Sequence, residues 1–274
     1  MYLIYSVLII LATTVSASTV VAQDVYQLSM LPNYSSEEIN QRIRPLTKYL
    51  SQKTGSNIEA VITNDFTHYE KQLKNGSIDI GYENPFIYTL VSESHEVIAM
   101  ALMGNDQDKF RGIIIARKDT GLQSLEDLRG KKISIVGYTS AGGYLSQKLS
   151  LMKAGIDVAD ECNIVEAAGN KQENVILSVY TGDVAAGFIH ESALNKADNY
   201  ITPSQLMVIS AGEWLPNWAL SVKKTLPKKF KKLIKIALLD LKPGHRVIKA
   251  LKIERFRPAE DSVYDTIRQA SRKE

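Results

Sequence analysis

Apolar and polar positions along the chain fall into two alternating rhythms, short runs with strand character and longer stretches with helical period. VYQLSML (25–31) reads as a strand. Pro32-Asn33-Tyr34 follows, then Ser35-Ser36-Glu37-Glu38, the hydroxyl caps and early acids that open a helix. Ile39, Ile43, Leu46 and Leu50 recur at helical spacing, and Gly55 closes that helix. NIEAVIT (57–63) is the next strand, Tyr69 to Asn75 a short helix ending at Gly76, and SIDIGY (77–82) a buried strand. EVIAMALMG (96–104), GIIIARKD (112–119) and KKISIVG (131–137) add three more strands. A helix follows with Leu145, Leu149 and Met152 on one face. NIVEAA (163–168), VAAGFI (184–189), QLMVISA (205–211) and ALSVKK (219–224) are strand-like, and Gln172 to Tyr180 is helical. From Leu226 to Glu274 the pattern predicts mainly helix.

Such alternation is the signature of an α/β protein. No repeat and no low-complexity linker interrupts it, so the expected architecture is two α/β lobes joined by strands. GIIIARKDTG carries the chain out of the first lobe, and LMVISAGEWLPNWALSV brings it back. The expected division is a signal peptide over 1–22, a first lobe over 23–113 and 212–274, and a second lobe over 114–211.

Composition narrows the class. The chain has 274 residues, 45% apolar, enough for a sizeable core. Its 33 basic and 30 acidic residues nearly balance, and no basic tract is interleaved with aromatics, so nothing points to nucleic acid. The opening MYLIYSVLIILATTVSASTVVA carries no charged side chain, and Val20-Val21-Ala22 has the small-residue shape of a cleavage site. Export with cleavage near Ala22 is expected, although the usual basic start is missing. Cys162 is the single cysteine, so no internal disulfide can form; a periplasmic location fits.

The stretch VGYTSAGGYLSQKL (136–149) turns from a strand into a helix through small and hydroxylated residues. A nucleophile elbow would put Gly two residues before Ser140, where Tyr138 stands. A secreted Ser hydrolase would pair Ser140 with His190, the one histidine directly after a strand. HESAL (190–194) lacks the second His of a zinc-protease motif, and no GxGxxG is present. No metal or cofactor is expected. Binding needs fewer coincidences: a helix start offers unpaired N–H groups and a partial positive charge. Thr139 and Ser140 add hydroxyls, and Ala141, Gly142 and Gly143 let an anion approach. The alternative is that Ser140 simply caps its own helix.

Several blocks carry a family resemblance: PNYSSEEINQRIRPLTKYLSQKTG, LKNGSIDIGYENPFIY, FRGIIIARKDTGLQSLEDLRGKKISIVGYTSAGGYL, NKQENVILSVYTGDVAAGF and LPNWALSVKKTLPKKF. Together they resemble the periplasmic phosphate/phosphite/phosphonate-binding proteins of ABC importers over nearly the whole mature chain. The resemblance implies a two-lobed type II periplasmic binding fold, a ligand cleft between the lobes, and no chemistry. It departs at the family's pocket. Relatives show S-T-S-G where this chain has Ser140-Ala141-Gly142-Gly143, a His where Gln172 stands, an Asp where Ala185 stands and a Tyr where Phe66 stands. Each unreplaced hydrogen bond to an ionised group loses about 1.5–3 kcal/mol.

Further cleft candidates are Tyr82, Glu83 and Asn84 at a strand's C-terminal end, and Tyr34 after the first strand. Glu83 would repel an anion, so it either points away or greets an amine, as in an aminoalkyl phosphonate. A solvent-exposed Glu83 beside a core Tyr82 is the bland alternative. The resulting expectation is a monomeric, exported solute receptor. It captures a small anion or zwitterion and delivers it to a membrane ABC permease. A sensory receptor signalling to a membrane kinase would share the same pocket. Trp214 and Trp218 are expected near the return crossing, and KKTLPKKFKKLIK (223–235) as the solvated face of a helix over Leu226, Phe230, Leu233 and Ile234.

Overall fold

The computed structural model describes residues 25–271, so the expected signal peptide and its cleavage near Ala22 lie outside the described residues. Among the described residues no helix is long and apolar enough to cross a membrane.

The chain opens with β1 (Val25–Met30) and α1 (Ser36–Thr54), followed by β2 (Asn57–Val61) and α2 (Phe66–Lys74). Ser35 caps α1 by accepting the Glu38 N–H, and Gly55 ends it in the left-handed conformation. Next come β3 (Ile80–Glu83), α3 (Pro85–Val91), β4 (His95–Leu102), β5 (Lys109–Phe110) and β6 (Gly112–Arg117). β7 (Lys132–Ile135) runs into a π-turn, Ala141–Leu145, and then α4 (Ser146–Lys153). α5 (Val158–Glu161), β8 (Asn163–Glu166), α6 (Gln172–Thr181), β9 (Ala186–His190) and α7 (Glu191–Leu194) follow. β10 (Leu206–Ala211), β11 (Leu215–Pro216), β12 (Ala219–Lys223), α8 (Lys228–Leu239), α9 (Arg246–Leu251), β13 (Arg255–Pro258) and α10 (Asp265–Ser271) complete the order.

Two mixed sheets result. The first has the order β13-β4-β12-β3-β1-β2, with β1 parallel to β2 and β3 and the rest antiparallel. The second has the order β10-β6-β9-β7-β8, with β7 parallel to β8 and β9. Between them β5 pairs with β11 through only two residue pairs, Leu215 with Phe110 and Pro216 with Lys109. These are the two crossings. The sheet changes two residues earlier than expected: Gly112 and Ile113 already pair with His190 and Ile189 in the second sheet.

The first sheet packs α1, α8 and α9 on one face, with Ile39, Ile43, Leu46, Leu50, Phe230, Ile234 and Leu238 buried among its strands. Phe230 and Ile234 are the expected buried face of α8. A second apolar cluster runs across both sheets and joins Leu31, Phe66, Tyr69 and Ile87 to Ile113, Val136, Val175 and Ile189. The two halves therefore meet across a shared apolar cluster. Each fully buried Leu or Ile in such a cluster contributes about 1.5–3 kcal/mol.

Three elements differ from the sequence pattern. α3 was missed because Tyr82-Glu83-Asn84-Pro85-Phe86 reads as a strand end, yet Asn84 accepts the Ile87 N–H and Pro85 takes the first helical turn. β13 stands inside the stretch expected to be helical; Phe256 points into the core while Arg255 and Arg257 bond Asp106 and Asp108. α4 buries Leu151, with Leu149 and Met152 only partly covered, because the π-turn adds a residue and rotates the face.

Gln147 ties this turn down. Its Nε2 faces three carbonyl oxygens, of Gly142 at 2.9 Å, Ile113 at 3.0 Å and Ile189 at 3.0 Å. Gly112 packs so closely that a Cβ there would collide with the Gln147 amide and the Gly142 carbonyl. Gly112→Ala is expected to destabilise the chain by about 1–3 kcal/mol. Urea unfolding checks this through a lower midpoint at unchanged slope.

Candidate functional site

A cavity of about 180 Å³ lies where the C-terminal ends of β1, β3 and β9 meet. Ligands of open α/β sheets bind beyond such strand ends, because the turns that follow there present side chains and helix starts to one crevice. The first sheet's side supplies Met30, Asn33 and Tyr34 after β1, Arg42 from α1, Tyr82 from β3, and Lys252 at the end of α9. Met103, Asn217 and Trp218 come from the segments next to the crossings. The second sheet's side supplies His190, Ser192 and Lys196.

Tyr34 organises the cations. The Arg42 guanidinium carbon stands 4.5 Å, and the Lys196 ammonium 3.9 Å, from its ring centroid. Burial raises the Tyr34 hydroxyl pKa, and the Arg42 charge only partly offsets that. Glu38 stands behind Arg42, Lys196 and Lys252, all three of which donate to its Oε1 at 2.6, 2.7 and 3.2 Å. Burial alone would raise the Glu38 pKa, but the bonds from Lys196 and Arg42 bring it down to about 2. Burial pushes His190 down to about 4, so its ring is neutral at neutral pH. Its Nδ1 accepts the Ser192 N–H at 3.0 Å, and its ring stacks on Phe110.

Two buried amide atoms on the cavity wall have no partner among the described residues, Asn217 Nδ2 and Asn33 Oδ1. The orientation of Asn217 is fixed, since its Oδ1 accepts the Trp218 N–H at 2.8 Å. A buried donor left without a partner costs about 1–3 kcal/mol.

Of the residues expected from sequence, the cavity brings together Tyr34, Tyr82 and His190. Gln172 stands behind them, its Oε1 accepting the His190 N–H at 3.0 Å. The Thr139–Gly143 loop does not line the cavity. Ser140 Oγ accepts the Gly143 N–H at 3.0 Å, capping its own turn, and the Thr139 carbonyl accepts Asn84 Nδ2 from the other half at 3.2 Å. Ala141 is fully buried, and a Cβ on Gly142 would lie 3.0 Å from both His190 and Phe110. Phe66 joins the apolar cluster between the sheets, and its N–H donates to Asn170 Oδ1 at 3.1 Å. Ala185 sits at the opposite end of β9, in a shallow depression with Arg117 and Lys132.

Glu83 points away from the cavity, and the solvent-exposed alternative does not hold either, because Glu83 is fully buried. Successive strand residues face opposite sides, so Tyr82 turns to the cavity and Glu83 to the other face of β3. There Tyr69 donates to its Oε2 at 2.8 Å, and Ser221 connects the site to His95.

Sequence reasoning missed Asn33, Arg42, Ser192, Lys196, Asn217 and Lys252. Glu38 and Arg42 show a helical i,i+4 pair in the sequence, a signal for the first of the cations. Lys196 and Lys252 leave no such trace. Trp218 does border the cavity, whereas Trp214 is half-exposed under the Arg111 guanidinium. Among the described residues no group of His, Cys, Asp or Glu is gathered as metal ligands. Cys162 is buried, and burial raises its thiol pKa.

Burial raises the Glu83 pKa from 4.5 to about 7, with Ser221 and Tyr69 partly opposing it. The folded state thus favours the protonated acid. The stability that this provides is complete below about pH 4.5 and is lost as pH rises through about 7. Between pH 5 and 8 the chain is expected to lose about 2–3 kcal/mol from this group. Glu83→Gln should flatten that slope in urea titrations run across the same range.

A family profile described as the periplasmic substrate-binding protein of phosphonate ABC transporters matches residues 28–264. The phosphate-import protein PhnD of Mycolicibacterium smegmatis is 23% identical over 197 residues, 66% of this chain and 61% of that protein. The chain thus spans about three fifths of that curated relative. PhnD1 of Prochlorococcus marinus, solved with methylphosphonate, superposes with a TM-score of 0.82 at 16% identity, covering 91% of this chain and 97% of that one. The binding component of an ABC phosphonate transporter from Pseudomonas aeruginosa gives 0.81 at 19% identity, over 91% and 86% of the two chains. The periplasmic aliphatic sulphonate binding protein of Escherichia coli shares the fold more loosely, at 0.59 and 11% identity, over 90% and 85%. The fold is that of the type II periplasmic binding proteins. With its match running from β1 almost to the last helix, the chain belongs to the family of periplasmic substrate-binding proteins of phosphonate ABC transporters.

Proposed function

We propose that this chain captures a small oxyanion in the cavity between its two sheets and delivers it to the permease of an ABC importer. One observation carries this reading: Arg42, Lys196 and Lys252 converge on a small cavity whose walls bear no carboxylate, next to an idle buried donor on Asn217. The two sheets serve as the cores of two lobes, and the paired crossings β5 and β11 act as the hinge. Family membership supports a periplasmic location, with the first 22 residues as an export signal removed near Ala22. A single copy suffices, since both sides of the cavity come from one chain.

The ligand contacts in this reading are Tyr34, Tyr82 and His190 together with the three cations and Asn217. Asn84, Phe66, Gln172 and the Thr139–Gly143 loop brace the closed form. The site serves binding, not turnover. Ser140 Oγ is engaged as a helix cap, and His190 Nδ1 by Ser192, so no described hydrogen bond pairs the two as nucleophile and base.

A thermal-shift panel on residues 23–274 tests this reading with phosphate, methylphosphonate, 2-aminoethylphosphonate, sulfate and several amino acids. A ligand at a hundredfold its Kd adds about 2.7 kcal/mol, an upward shift of about 5–11 °C for a chain of this size. Lys196→Gln is expected to weaken that ligand by about 10- to 150-fold through one lost charged hydrogen bond. Undiminished affinity in Lys196→Gln would remove the cavity from consideration.

A further inference from the structure

The carboxylate behind the cations is placed unusually. Arg42, one turn along α1 from Glu38, Lys196 from the other half of the molecule, and Lys252 after α9 all meet the same oxygen of Glu38. Lys252 does so from a left-handed backbone, φ 58°, where a side chain is disfavoured and Gly is usual. These three cations and Glu38 together carry two net positive charges, and no carboxylate lines the cavity itself; Glu173 acts on Tyr34 from outside the lining.

We infer that Glu38 is a resident counter-anion that sets the charge class of the ligand, so that the cavity takes doubly charged oxyanions and holds monoanions and zwitterions weakly. The inference rests on the cavity being the ligand site. A dianion neutralises the two remaining charges, whereas a monoanion of the same shape leaves one of them uncompensated beside the buried Arg42 and half-buried Lys196, with only Lys252 reaching solvent. An ω-ammonium group would have to desolvate among three cations, with Asn33 Oδ1 as the buried side-chain acceptor left without a partner on the wall among the described residues. Glu38 also fixes the three cations in place before any ligand arrives, which keeps the cavity open to an anion while limiting how tightly it binds one.

Methylphosphonate and methanesulfonate make the test, because they share a shape and differ by one charge once the second acid group of methylphosphonate is ionised. Binding is read at pH 8.5 by titration calorimetry. Wild type is expected to prefer methylphosphonate by about a hundredfold, and to bind 2-aminoethylphosphonate more weakly than methylphosphonate. Glu38→Gln keeps an acceptor for the cations and removes the charge. It should tighten methylphosphonate by about tenfold and methanesulfonate by only about threefold, in proportion to ligand charge. Equal wild-type affinity for the two isosteres overturns the inference, as does unchanged or weaker methylphosphonate binding by folded Glu38→Gln. If that variant does not fold, the wild-type isostere ratio decides alone. Absence of any oxyanion binding by wild type and Glu38→Gln would instead sink the cavity as the ligand site, a result distinct from lost charge selectivity.

Discussion

The chain passes between its two sheets on β5 and β11, which share only two residue pairs, and that narrow bridge conditions the rest of the architecture. A two-pair ladder cannot by itself fix the angle between two large sheets. The angle is set instead by side chains on either side of the bridge. Leu31, Phe66 and Ile87 meet Ile113, Val136 and Val175 in one apolar cluster. Polar contacts reinforce it: Phe66 to Asn170, Asn84 to Thr139, Lys171 to the Pro32 carbonyl, and Lys196 to Glu38. Several of these involve the residues that flank the cavity, so the shape of the cavity and the closure of the molecule are one and the same variable.

The two ends of the polar seam behave differently. At the Thr139–Gly143 turn the donors and acceptors bond within the protein, and Phe110 and His190 lie against Gly142. Around Tyr34 the cations share a single carboxylate and border free volume. The positive side chains that border free volume thus stand on the α1 side of the cavity. The helix start that offered the clearest sequence signal is spent on packing.

Much of the fold could be read from the sequence. The Ser35 cap, the Ile39–Leu50 stripe, the Gly55 stop and the isoleucine runs of β6 and β7 follow from local chemistry and periodicity, and they lie where the pattern puts them. β13 escaped because it is short with Phe256 as its one buried position, and α3 because its short apolar run PFIYTLV reads as readily as strand as helix, so tertiary context decides their state. The site was legible only in part. Tyr34, Tyr82 and His190 were accessible because they follow strands in an α/β order. Arg42, Lys196, Asn217 and Lys252 are separated by tens to hundreds of residues and converge only through folding. Glu83 shows the opposite difficulty: it was read together with Tyr82, and the parity of one strand decides which of the two faces the cavity.

Met30 and Met103 complete the wall opposite all this fixed charge. A thioether chain has three torsions and a polarisable sulfur, and it reshapes itself around whatever it touches. The cavity thus measures its guest with two different rulers, a rigid one for charge and a pliable one for size. Small groups that differ by a methyl at the far end would meet nearly the same wall. Of the two, Met103 is only partly covered while Met30 is buried, so oxidation would reach Met103 first and replace that part of the yielding wall with a polar, chiral one without touching a single charge.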